Sequence, residues 1–292
     1  MKFNYIVGNP PYLRGMHLKI TNRCYDILNP KGEFIFIQPA AGIFNKTSTP
    51  DTTLKRYRDI LQNNKVKMKI VSGVTAFGAG MFLTDLAITK ISKTPGGIQV
   101  QYKNGDTYQC ELKDINFLQM PPEIFASIRE KIQLMIQKYG ELKELRCCDV
   151  SKGCSGIPIP KVRGNVNQET GYIQSNFYSF YSPIDYRKKY VEVKEYEDGC
   201  VLVCREDEAE YLYQYLSTKT AQVAGGMYKY SSQTINFKIP RLPQAFKEML
   251  TDTQLFEMFG FTEEEQAWIQ KVIPDYDPRV KEKMEDWVVS KP

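Results

Sequence analysis

The sequence predicts an open α/β sheet, its first part parallel, followed by a smaller mixed α+β domain. Three observations point there. A strand, a helix of about twelve residues and a second strand follow one another in the first forty positions. The apolar runs are short and each stops at a Gly, Pro or Asn cluster. Beyond residue 145 the alternation gives way to short strands and Gly/Pro turns. At 292 residues and 42% hydrophobic, the chain can build one large core or two modest ones.

Phe3 to Gly8 (FNYIVG) combines aromatic and β-branched residues and runs into Asn-Pro-Pro, which predicts a buried strand ending in a stiff turn. Met16 to Leu28 has helical apolar spacing and stops at Asn29-Pro30-Lys31-Gly32, after which Glu33 to Gln38 (EFIFIQ) reads as the next buried strand. Such a βαβ unit implies parallel strands and a right-handed crossover. Thr53 to Leu61 reads as a helix, and Val66 to Gly73 and Asp85 to Ser92 as strands. Ile98 to Tyr102 and Tyr108 to Leu112 form a hairpin through Asn104-Gly105-Asp106. Ile124, Ile128, Ile132, Met135 and Ile136 mark a connecting helix over Pro122 to Tyr139. Near Leu145 we expect a boundary, giving domains 1–145, 146–243 and a helical tail 244–292 with helical pieces at Phe246 to Met249 and Glu263 to Val272.

Composition excludes several classes. Seven cysteines form no CxxC pair and His17 is the sole histidine, so no metal site is expected. Cys200 and Cys204 fall in CVLVC, where strand spacing puts both on one buried face. An odd cysteine count suits a reducing compartment. No apolar stretch approaches bilayer length and no leader precedes the first strand, so a soluble, cytoplasmic protein without a membrane partner is expected. The charge is unevenly spread: residues 1–104 hold fifteen Lys or Arg against five acids, and residues 246–292 hold six against eleven. A basic first third suits a polyanionic partner.

Asn9-Pro10-Pro11-Tyr12 carries the chemistry. An exocyclic aromatic amine is a poor nucleophile because its lone pair is delocalised into the ring. A site that activates it needs acceptors for both amino hydrogens and a flat surface for the ring. The Asn9 side-chain oxygen and the Pro10 carbonyl can be the acceptors, Pro11 stiffens the turn, and Tyr12 offers an aromatic face.

FNYIVGNPPY resembles the catalytic motif of the adenine-N6 amino-methyltransferases, whose form is [DNS]-P-P-[YFW] at the end of a strand. CYDILNPKGEFIFIQPAAGIF is similar to the helix, Lys-Gly turn and strand that follow it in that family, and Leu54 to Ser92 to the next helix and strand pair. The resemblance implies a partial Rossmann-like methyltransferase sheet, S-adenosylmethionine as methyl donor and a flipped adenine of double-stranded DNA as target. It gives catalytic roles to Asn9, Pro10, Pro11 and Tyr12, and base-stacking roles to Tyr12 and Phe77, with Phe82 a rival to the latter.

Downstream, VSKGCSGIPIP, FYSPIDYRKKYV and YLSTKTAQVAGGMYKYSSQTINFKIPRLP resemble the target-recognition domain of combined restriction-modification enzymes, in which Arg187, Lys188, Lys189, Lys229 and Tyr230 would contact DNA. A bacterial or phage-encoded cytoplasmic protein is implied. The family's cofactor half, a strand with a Gly-rich loop opening a helix and an acid after the next strand, has no convincing counterpart here. Phe77-Gly78-Ala79-Gly80 is the nearest candidate and lacks the downstream helix and acid. His17, Asp26 and Asp85 show no partner pattern. The cofactor-binding residues are therefore unknown, and a protein partner supplying that half is expected to cover the open sheet edge. A non-catalytic DNA-binding or specificity protein derived from such an enzyme is the alternative, and an RNA or release-factor methyltransferase with the same turn is a third.

Overall fold

The computed structural model describes residues 1–12, 15–40, 43, 52–77, 85–116, 118–142, 144–146, 155–159, 191–192, 200–203, 206–227 and 238–273. Its architecture is α/β. The first compact unit runs from Met1 to Phe125 and a second begins at Ala126.

In the first unit the chain forms β1 (Phe3–Gly8), α1 (Met16–Ile27), β2 (Leu28–Pro39), α2 (Thr52–Gln62), β3 (Lys65–Ser72), the single-turn α3 (Gly73–Phe77), β4 (Asp85–Ser92), β5 (Ile98–Gln101) and β6 (Thr107–Cys110). These strands make one open mixed sheet in the order β1-β2-β4-β3-β5-β6. Strands β1 and β2 are parallel, as the βαβ pattern predicts, and β3 is parallel to β5. Strand β4 lies between β2 and β3 and runs antiparallel to both, an insertion that the linear pattern does not reveal. It follows that β1, β2 and β3 point the same way. Their carboxyl ends lie along one end of the sheet.

The sheet is asymmetric across its faces. Phe34, Phe36, Val66, Met68, Ile70, Ile91 and Val100 pack in one core with Leu18 of α1 and Leu54, Tyr57, Ile60 and Leu61 of α2. On β3 the alternate residues Lys65, Lys67 and Lys69 are exposed while Val66, Met68 and Ile70 are buried. That is the period of a strand covered on one side. Inside β2 the start is irregular: the register with β1 slips between Phe3 and Tyr5, and Lys31 has φ 64. A Cβ at the following Gly32 would lie 2.8 Å from Leu28 Cγ and 2.9 Å from the Asn29 carbonyl, so a bulge this tight needs glycine.

Edge strand β1 is sparsely covered among the described residues. Of the seven exposed large hydrophobics among the described residues, five (Met1, Phe3, Tyr5, Val7 and Met16) fall in the first sixteen positions, with Tyr5 at 74% and Val7 at 76% exposure. The expectation of a buried first strand therefore fails among the described residues, where neither a strand nor a helix covers that edge. At the opposite edge β6 has four residues, two of them the exposed polar Thr107 and Gln109. Short polar edges of that kind discourage further pairing.

Helix α4 (Pro122–Tyr139) spans the division between the two units. In the second unit β7 (Glu144–Arg146), β8 (Ser155–Ile159), β9 (Val191–Glu192) and β10 (Cys200–Val203) form an antiparallel sheet in the order β7-β10-β8-β9. Helices α5 (Ala209–Ser217), α6 (Lys219–Met227), α7 (Asp252–Phe259) and α8 (Glu263–Val272) follow.

Two readings of this region change. Residues 209–227 are helical where strands and turns were expected. Leu212, Tyr215 and Leu216 are buried at helical spacing, which outweighs the strand preference of the tyrosines, and the Gly225-Gly226 pair is within α6. Around Phe246 there is one 3₁₀ turn, Gln244–Phe246, instead of a helix. Both α7 and α8 begin with capping boxes, Thr251 with Gln254 and Thr262 with Glu265. Among the described residues no helix is long and apolar enough to cross a membrane, and no cluster of metal-ligating side chains occurs.

Candidate functional site

Strand β1 delivers its turn where parallel α/β sheets bind ligands, at a carboxyl end. Gly8 closes the strand against the Phe36 ring of β2, where an added Cβ would come 3.2 Å from Phe36 Cε1. Asn9 and Pro11 are then exposed, Pro10 is buried and Tyr12 half-buried. A proline pair that alternates buried and exposed fixes the backbone between strand and helix, so the Asn9 side chain is held at the surface.

The Tyr12 hydroxyl donates to Asn9 Oδ1 at 2.6 Å and lies 3.1 Å from the Ile37 carbonyl of β2. Burial raises its pKa, so the phenol is a protonated donor near neutral pH. Behind it sits His17, in the first turn of α1, with ring centroids 6.1 Å apart and the planes at 85°. Burial pushes the imidazole below its ordinary value, while a hydrogen bond to the Tyr12 backbone opposes that shift. His17 Nδ1 is buried and finds no hydrogen-bond partner among the described residues.

A buried polar network supports the turn from below. Thr21 Oγ1 donates to the His17 carbonyl at 2.8 Å and lies 3.2 Å from Gln38 Oε1. Gln38 Nε2 in turn hydrogen-bonds the Tyr57 hydroxyl of α2, whose pKa burial drives far up. Asn22 Nδ2 donates to the Thr53 carbonyl at 2.9 Å. Because polar groups are costly to bury without partners, a chain of them joining α1, β2 and α2 fixes the helix that follows the turn. None of Thr21, Gln38 and Tyr57 stands out in the sequence. A faint signal exists in Gln38, a polar residue closing an otherwise apolar run.

Other expected residues fall as follows. Phe77 ends α3, which follows the carboxyl end of β3, and is half-buried. It shares the sheet end with Asn9–Tyr12 but belongs to a strand three inter-strand spacings away, roughly 14 Å. Asp26 and Asp85, which showed no partner pattern, are paired with Arg56 and, at 2.8 Å, with Lys103. Phe82, Gly78-Ala79-Gly80, Arg187, Lys188, Lys189, Lys229 and Tyr230 lie outside the described residues.

Chemically, the turn offers one side-chain oxygen and an aromatic ring at an exposed strand end. It suits a planar group with N–H donors. No family model and no curated protein matches the chain.

Proposed function

We propose that the chain holds the target adenine of a DNA adenine-N6 methyltransferase of the restriction-modification kind, within a partial Rossmann-like methyltransferase sheet. One observation carries this reading: Asn-Pro-Pro-Tyr closes a strand parallel to its neighbour, with Asn9 exposed and its Oδ1 already accepting a hydrogen bond. An acceptor held in place before the ligand arrives is what polarising a weakly nucleophilic amine requires. Asn9 Oδ1 and the Pro10 carbonyl take the two amino hydrogens, and Tyr12 stacks on the base. Residues 146–243 choose the DNA sequence through Arg187, Lys188, Lys189, Lys229 and Tyr230. The basic first third supports a nucleic-acid partner through phosphate contacts. A cytoplasmic location goes with this reading.

S-adenosylmethionine is the donor that this reaction uses. The described residues do not fit it: no strand among them runs into a Gly-rich loop opening a full helix with an acid at the end of the next strand. Among the described residues nothing pairs with the outer edge of β1, which supports a further strand there, supplied by a partner as part of a cofactor-binding half. The same mismatch favours a second reading, a DNA-binding or specificity protein that does not itself transfer methyl groups.

A fluorescein-labelled duplex with one unpaired adenine, compared with the same duplex carrying purine, which lacks the N6 amine, tests the base pocket. The wild-type chain should bind the adenine duplex about tenfold more tightly than the purine one, the worth of roughly one hydrogen bond, and Asn9→Ala should lose that difference. An equal difference in both proteins would remove Asn9 from the pocket.

A further inference from the structure

Helices α1 and α2 both pack on one face of the first sheet, through Leu18, Leu54 and Tyr57. The strand registers define the opposite face. Val7 pairs with Ile35, Ile35 with Lys90, Lys90 with Lys67 and Lys67 with Gln99, so these side chains form one row across the strands. The row before it is Tyr5, Glu33, Ser92 and Lys65, and the row after it holds Ile37, Ile88 and Lys69. Tyr5, Val7 and the three β3 lysines are exposed, and the isoleucines are half-buried. The uncovered part ends one row further on, where Leu86 is fully buried. Over β1, β2 and β4 this face is mainly apolar, and over β3 it is cationic. Its acid, Glu33, is already held by Lys90 at 2.8 Å and Ser92 at 2.7 Å. Lys65, Lys67 and Lys69 form no ion pair among the described residues.

We propose that this face docks an amphipathic helix of a partner protein, its apolar stripe on Val7, Ile35, Ile37 and Ile88 and an acidic flank along Lys67 and Lys69. The dimensions suit one helix. Three adjacent strands span about 10 Å, the width of a helix with its side chains, and the next strand, β3, falls under its flank. Three rows two residues apart cover roughly 13 Å, the length of about nine helical residues. Parallel strands such as β1 and β2 belong to sheets covered on both faces, and here one cover is missing among the described residues. Charge then decides the chemistry of the cover: three exposed lysines at strand spacing attract carboxylates. A nucleic acid would match the lysines and leave the apolar rows in water. This surface is separate from the strand proposed at the β1 edge, since it concerns the face of the sheet and involves neither Asn9 nor methyl transfer.

The test uses the whole chain and a fluorescein-labelled Leu/Ala helix of about sixteen residues, lactam-bridged on its solvent side, with Glu along one flank. One control has the same residues in scrambled order, and the other has Lys in place of Glu. By fluorescence anisotropy, the Glu helix should bind the wild type about tenfold more tightly than either control. Lys67→Glu combined with Lys69→Glu should reverse the preference between the Glu and Lys helices. Val7→Asp should weaken binding of the Glu helix about tenfold. All three positions are exposed, and far-UV circular dichroism checks that the variants fold. A Glu helix that binds no better than its scrambled control, or a preference that the lysine variant leaves unchanged, would overturn the proposal. If the lysine variant weakens duplex DNA tenfold and leaves the Glu helix unaffected, the face takes nucleic acid and the proposal fails. A wild-type dimer in sedimentation that Val7→Asp dissolves would give the face to a second copy, and the proposal fails likewise.

Discussion

At the residue scale, His17 links the stability of the first unit to pH. Its imidazole is buried and held below the ordinary value of about 6.5, so the folded chain keeps it neutral where the unfolded chain takes up a proton. A depressed folded-state pKa contributes stability that is present above the unfolded value and declines as pH falls through the folded one. The prediction is that the His17 C2–H signal titrates below pH 6.5 and that the melting temperature falls as pH is lowered through this range. In His17→Gln that part of the pH dependence should disappear. Asn9, Pro10, Pro11 and Tyr12 are legible in the sequence because Pro-Pro is rare and constrains the backbone by itself. His17 was visible only as a lone histidine. Its relation to Tyr12 depends on how α1 returns after the turn, which no local pattern encodes.

At the element scale, the network under the turn makes Tyr57 more than a filler of the core. Replacing it with Phe keeps the ring but removes the hydroxyl that Gln38 Nε2 needs, leaving a buried donor unsatisfied. Tyr57→Phe should lower stability by about 1–3 kcal/mol in chemical denaturation. A change under 0.5 kcal/mol would mean that Gln38 finds another partner. In the second unit, Glu265 closes the capping box of α8 and binds Lys131 at 2.6 Å and Ser127 at 2.6 Å. Burial alone would raise its pKa, but the hydrogen bonds from Lys131, Ser127 and the Thr262 amide outweigh that and hold it below the ordinary carboxylate range. Its contribution is therefore present above about pH 4.3 and lost as pH falls through the folded-state value. Glu265→Gln should flatten the acid limb of the stability profile, measured by denaturation between pH 3 and 6. Strands β1 to β6 were legible because each alternates or runs apolar between turn residues. The helices in 209–227 were not, because tyrosine-rich segments with a Gly-Gly pair carry strand and turn preferences that only tertiary burial overrides.

On the scale of the whole molecule, β1 stands out among the described strands as an exposed edge. Covering Tyr5 and Val7 would contribute about 1.5–3 kcal/mol for each side chain, before the backbone hydrogen bonds of an added strand. The composition of FNYIVG suits an interior strand, yet among the described residues it is an edge. Local composition reports what a strand is suited to pair with and cannot report whether the pairing strand is present. The turn proposed to hold the base lies beside this edge, and among the described residues no Gly-rich loop opening a full helix accompanies it. The most direct test is transfer of tritiated methyl from S-adenosylmethionine to adenine in duplex DNA, measured with the chain alone and with an added protein that carries a Gly-rich donor loop and an edge strand. The account predicts little or no transfer by the chain alone, N6-methyladenine when the second protein is present, and loss of that product in Asn9→Ala. Transfer that Asn9→Ala leaves intact, or none under either condition while the duplex still binds, would contradict it.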